Sequence, residues 1–251
     1  MEIFRKMSFA DSTGDAIPFY HEGKYHIFSL TSPPGTTVYP ERLRTTWSHS
    51  ISDDLVHWQE LPTALYPGEG DEPDASGVWT GSVIYGEGQY HAFYTGYCLT
   101  AEFQQTICHA TSDDGITWTK DIANPVITPM TELYEKLDWR DPYVFYNEED
   151  ENYWILISAR RLDMPVTRRG CIVLYRSKNL KDWTYYGPIY SPGHTNCPEC
   201  PEMYKMGGHW YLSYSRFSEF VNTIYRVSES PFGPWRKPKK GWYWWKTLLC
   251  C

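Results

Sequence analysis

Short runs of alternating apolar and polar residues recur along the chain, separated by polar turns, and this period-two pattern predicts β-strands rather than helices. The clearest repeated element opens on Ser and closes on Trp. It occurs at residues 52–58 (SDDLVHW), 112–118 (SDDGITW) and 177–183 (SKNLKDW), with a looser copy at 228–235 (SESPFGPW). A strand-like run precedes each copy, at 45–51, 106–111, 171–176 and 223–227. Upstream lies a second run opened by a polar turn, at 23–28, 88–93, 151–156 and 208–213. A third run comes before that, at 16–20, 81–85, 142–146 and 202–205. The repeating unit is therefore about four short strands, the length of a β-propeller blade. A β-sandwich would need four matching copies of the whole pattern to arise by coincidence. The predicted blades span residues 12–65, 74–122, 138–187 and 196–238. Residues 131–136 are expected to form a short helical turn, and nothing longer is amphipathic.

Composition narrows the function classes. Hydrophobic residues make up 41% of the 251 residues and charged ones 22%, which excludes a disordered chain. Aromatics reach 17%, with 12 Trp and 21 Tyr, and suit both β-structure and flat surfaces that stack on sugars. The net charge of −8 argues against nucleic-acid binding. No apolar run approaches the ~20 residues that span a bilayer, and the first residues lack the layout of a signal peptide, so a cytoplasmic protein off the membrane is expected. Seven Cys, an odd count, argue against a complete disulfide framework. Cys197 and Cys200 form a single C-x-x-C without a second pair, so no metal site is expected. The eight His are scattered along strand-like runs and read as structural. Residues 68–74 read as a solvated acidic loop, and Lys237, Lys239 and Lys240 as a short basic one.

In a propeller the first strand of each blade lines the central channel. Asp15, Asp141 and Glu199 each lie just before such a strand, at what the repeat aligns as one blade position, with Thr80 at that place in the second blade. Three carboxylates are thus expected at one channel mouth, beside Trp47 and Trp79. Folding alone gives no reason to gather them. Like-charge crowding lets one acid keep its proton while another ionises, the division of labour that glycoside hydrolysis uses.

At these residues the chain resembles glycoside hydrolase family 32, the β-fructosidases that cleave sucrose and fructans, to about Lys237. Residues 47–58 with 61–65 look like the family's signature segment after the first blade. Residues 76–82 with 93–96 are similar to its second-blade motif. Trp139-Arg140-Asp141-Pro142 looks like its Arg-Asp-Pro motif and Glu199-Cys200-Pro201 like its Glu-Cys motif. The resemblance implies Asp15 as nucleophile, Glu199 as acid and base, and Asp141 as transition-state stabiliser. It implies Arg140, Trp47, Trp79 and Ser82 as fructose-binding residues, with no cofactor.

The segment Gly14-Asp15-Ala16-Ile17-Pro18 departs from the family's Asn-Asp-Pro-Asn-Gly. Glycoside hydrolase family 43, whose inverting propeller enzymes act on arabinose or xylose units, is the alternative, as is a non-catalytic sugar-binding propeller. The fold expected is a five-bladed type of propeller with four blades in this chain, a catalytic region at 1–240, an atypical Trp- and Cys-rich tail at 241–251, and no C-terminal β-sandwich. A missing blade would uncover a sheet edge through which two copies could pair.

Overall fold

The computed structural model describes residues 13–33, 35, 36, 38, 44–216 and 222–238, so the 241–251 tail, Lys239 and Lys240 lie outside the described residues. The chain divides into two compact units, Met1–Thr128 and Pro129–Cys251. Each holds two blades of an all-β propeller fold.

In the first unit, β1 (Thr13–His21), β2 (Lys24–Thr31), β3 (Thr46–Ser52) and β4 (Trp58–Leu65) form one antiparallel sheet in sequence order. The second sheet is β5 (Gly77–Gly86), β6 (Gln89–Tyr97), β7 (Gln105–Ser112) and the short β8 (Thr119–Lys120). In the second unit, β9 (Arg140–Asn147), β10 (Asn152–Arg160), β11 (Gly170–Ser177) and β12 (Thr184–Tyr190) make the third sheet. The fourth is β13 (Glu199–Met206), β14 (His209–Ser215) and β15 (Thr223–Ser228), with Arg236 bridging back to Val227. Among the described residues the only helical element is a 3₁₀ turn at Val166–Arg168. No helix among them is long and apolar enough to cross a membrane. Of the helical turn expected at 131–136, a single hydrogen-bonded turn forms, in which the Leu133 and Tyr134 amides both donate to the Met130 carbonyl.

The sequence repeats have local physical causes. The hairpins between first and second strands turn through Glu22-Gly23 and Glu87-Gly88, where both residues have positive φ, as a two-residue turn matching strand twist requires. In the Ser-to-Trp element, Ser52 Oγ accepts the Leu55 amide at 2.9 Å, while Asp54 Oδ1 accepts the Val56 and His57 amides at 2.9 and 2.8 Å. Ser112 and Asp114 repeat this arrangement, and Ser177 with Asn179 repeats its core. Backbone amides donated to Asp114 hold its carboxyl down at about 2.

The core of the first unit packs Ile17, Phe28, Trp47, Val78, Val83 and Tyr94, and that of the second Trp154, Leu156, Ile172, Leu174, Trp210 and Leu212. The strand histidines are structural, but they come in pairs. His26 Nδ1 meets His49 Nε2 at 2.9 Å, and His91 Nδ1 meets His109 Nε2 at 2.9 Å. All four are buried, and Phe28 and Phe93 stack on His49 and His109 at 4.1 and 4.6 Å between ring centres.

Burial, with the neighbouring His26, pushes His49 down to about 3. It therefore stays neutral in the fold, while an unfolded chain protonates it below about 6.5. Stability is expected to be fully present above pH 6.5 and to decline toward pH 3, by at most about 1.4 kcal/mol per pH unit for this group. Urea denaturation across that window, with His49→Gln giving a shallower decline, checks this.

Candidate active site

Every blade bears the same irregularity near the start of its first strand. Between the pairs Thr13↔Thr31 and Ala16↔Ser29, two residues of β1 face one of β2. The same two-against-one count separates Val78↔Gly96 from Gly81↔Tyr94, Arg140↔Ser158 from Tyr143↔Leu156, and Glu199↔Ser215 from Glu202↔Ser213. A β-bulge of this kind re-aims side chains at the end of a strand.

The acids were expected just before the first strands and at one common position. They lie instead within the strands, because pairing resumes upstream of each bulge. They also occupy three successive places. Glu199 is the last paired residue before its bulge, the register that Arg140 holds in the third blade. Asp141 is the first bulged residue, matching Trp79 and Cys200. Asp15 is the second, matching Thr80.

In the first unit, the Thr80 hydroxyl donates to Asp15 Oδ2. Thr80 and Asp15 thus meet across adjacent blades from the same bulge position. Behind Thr80 the bulge carbonyls are each occupied by a side-chain donor. Thr45 Oγ1 donates to the Val78 carbonyl at 2.8 Å, Trp47 Nε1 to the Trp79 carbonyl at 2.9 Å, and Thr95 Oγ1 to the Thr80 carbonyl at 2.9 Å. Trp47 is 0% exposed. It was expected in a sugar-facing wall, and the structure puts it in the core, where its indole N–H satisfies a bulge carbonyl. Trp79 is half-buried and stacks on Tyr97, with ring centres 4.1 Å apart and planes 19° apart. Ser82 is buried on β5.

The acidic loop ahead of β5 is also less open than its composition suggested. Glu69, Asp71 and Glu72 are exposed, but Asp74 is buried. It accepts the Gly68 amide at 3.1 Å and the Tyr94 hydroxyl at 2.9 Å, and pairs with Lys120 at 2.6 Å. Arg44 ties the same loop down by donating to the carbonyls of Ala75 and Gly68 at 3.1 and 2.8 Å.

In the second unit, Arg140 stands among three carboxylates. Its Nη2 donates to Glu199 Oε1 at 2.7 Å, its Nη1 to Asp138 Oδ1, and its Nε lies 3.7 Å from Asp141 Oδ2. Asp141 is buried, with φ of 56°, and its Oδ2 accepts the Cys200 amide at 2.9 Å. Cys200 has φ of 46° at the matching bulge position. A proline follows each, at 142 and 201, consistent with a bulge that ends locally. Burial pushes the Cys197 thiol up, which keeps it protonated beside Arg140.

Burial opposes ionisation of Asp138, yet the Arg140 and Arg160 guanidiniums outweigh it and hold its carboxyl below the ordinary range. Sequence reasoning missed Asp138. The signal was available in Asp138-Trp139-Arg140-Asp141, where one acid two residues before and one directly after flank a single arginine.

Comparisons with known proteins identify the family. The family described as Glycosyl hydrolases family 32 N-terminal domain matches residues 15–242. A levanase of Bacillus subtilis (strain 168) is 33% identical over 198 residues, which are 74% of this chain and 26% of that protein. A levanbiose-producing levanase of Geobacillus stearothermophilus is 30% identical over 236 residues, covering 90% of this chain and 52% of that protein. The crystal structure of fructan 1-exohydrolase IIa from Cichorium intybus superposes with a TM-score of 0.74 at 25% identity, over 91% of this chain and 44% of that one. The chain thus spans a quarter to a half of the length of these relatives.

Gly81 closes the bulge that carries Thr80. A Cβ there would run into the Phe93 carbonyl oxygen and come within 2.6 Å of Tyr94 Cα, both backbone atoms that cannot swing away. Gly81→Ala is therefore expected to destabilise the first unit by about 2 kcal/mol, read by urea denaturation.

Proposed function

Because this chain belongs to glycoside hydrolase family 32, we propose that it cleaves β-fructofuranosidic bonds of sucrose, levan or inulin-type fructans with retention of configuration. The observation that carries this reading is that Asp15, Asp141 and Glu199 lie in or directly beside the first-strand bulges of their blades, each with its carboxylate held by a partner from a neighbouring strand. The names of the two levanases support fructan as the substrate class.

Asp15 is the nucleophile in this proposal. It attacks the anomeric carbon of the fructosyl unit while Glu199 protonates the leaving glycosidic oxygen. A covalent fructosyl ester results, and Glu199, now a carboxylate, takes a proton from the water that hydrolyses it. The Thr80 hydroxyl, donating to Asp15 Oδ2, orients this carboxylate. Asp141, fixed by the Cys200 amide, serves as an acceptor for fructose hydroxyls and offsets the positive charge that develops on the sugar. Arg140 binds carboxylates in the structure, so its part in substrate binding runs chiefly through the acids it orients. The half-buried Trp79 face suits the apolar side of a sugar ring.

Fructose release from sucrose, levan and inulin tests the proposal, with Asp15→Asn and Glu199→Gln alongside and folding followed by circular dichroism. Turnover is expected in the parent chain and a loss of about 10³-fold in each variant. The first-formed product is expected to be the β-anomer, seen by NMR. Cleavage of arabinosides or xylosides with inversion, or sugar binding with no turnover in a folded chain, would overturn it.

A further inference from the structure

Beyond Arg140 the second unit carries an unbroken run of alternating charges. Glu199 pairs with Arg140, Arg140 with Asp138, Asp138 with Arg160, Arg160 with Glu135, and Glu135 with Arg169. Asp138 Oδ2 and Glu135 Oε2 each lie 2.9 Å from Arg160 Nη1. Side-chain exposure runs from 13% at Arg140 to 23% at Arg169 and Glu199, so the run is largely shielded from solvent. Glu135 and Asp138 come from the segment before β9, Arg160 ends β10, and Arg169 precedes β11. Three strands of one blade are thereby tied to the first residue of the next.

We propose that Asp138 is a positioning residue: it fixes the Arg140 guanidinium, and through it the carboxyl of Glu199, in the orientation that proton transfer requires. This rests on the family-32 reading of Glu199. A guanidinium gripped at Nη2 alone can turn about its side-chain bonds, whereas one held at both Nη1 and Nη2 is fixed in plane. Asp138 supplies the grip at Nη1, in addition to the Nε approach to Asp141. It must be an anion, because it lies between two guanidiniums. Asn at this place keeps the shape but leaves Arg140 and Arg160 facing each other across a neutral amide, and removing one partner of a shielded ion pair is costly.

The test compares Asp138→Asn, Asp138→Glu and Arg169→Gln with the parent chain, by fructose-release kinetics and by ¹⁵N NMR of the arginine side chains. Arg140→Lys identifies the Arg140 signals. In Asp138→Asn, kcat is expected to fall about tenfold or more with KM within about twofold, and Asp138→Glu to recover most of it. The Nη–H signals of Arg140, sharp in the parent chain because paired, are expected to broaden in Asp138→Asn. Unchanged kcat, or equal losses through KM, in a folded Asp138→Asn would overturn the proposal. If the parent chain releases no fructose, the functional reading fails by itself. The NMR arm still decides the present one: persistent sharp Arg140 signals in Asp138→Asn overturn it, and their loss supports it. If Asp138→Asn does not fold, Arg169→Gln at the outer end is expected to broaden the same signals partly, and an unchanged Arg140 spectrum there overturns the proposal.

Discussion

An extra residue in the first strand of each blade is the constraint on which the rest of the structure depends. A bulge removes backbone groups from the ladder, and in a buried setting those groups must find other partners. In the second blade they find Thr45, Trp47 and Thr95, one donor for each successive carbonyl. In the fourth, the Cys200 amide finds Asp141. Satisfying the bulge and building the site are therefore one task here. The carboxylate that repairs one strand's hydrogen bonding is the same group that the proposed chemistry uses.

The second consequence concerns charge. Within the second unit, Asp138, Asp141 and Glu199 stand around one point and would repel one another. In the second unit that repulsion is offset by an arginine placed one residue before Asp141 and in the same register as Glu199. The sequence alignment of acids by blade hid this. Once the registers are known, Arg140 and Glu199 are seen to occupy equivalent positions with opposite charge, which is why they face each other across neighbouring blades.

Much of this was legible beforehand, for reasons that are local. The Ser-to-Trp element could be found because a serine hydroxyl and an Asp or Asn side chain cap the same few amides each time. The hairpins could be found because positive φ at Glu22-Gly23 and Glu87-Gly88 leaves a mark in composition. Strand starts were misplaced by about three residues because a bulge breaks the alternation on which the pattern depends. Trp47 was assigned to a sugar-facing wall because nothing in a sequence tells an indole that stacks on a ligand from one that donates to a buried carbonyl. Asp74 looked solvated among its acidic neighbours, since its partners Tyr94 and Lys120 are distant in the chain. Asp138 was passed over for the same reason: its second partner, Arg160, lies a whole hairpin away.

The paired histidines divide the blades into two kinds. Blades one and two share His26-x-Phe28 and His91-x-Phe93 on the second strand, each with a histidine on the third. Blades three and four instead carry Trp154-x-Leu156 and Trp210-x-Leu212 on their second strands. A propeller that grew by copying blades would record its history in such differences. The two kinds fill the middle of a sheet differently, one with paired imidazoles stacked on phenylalanine and the other with indole and leucine. Recombination between blades of one kind would transplant a working interior, whereas exchange across kinds would strand an imidazole without its mate.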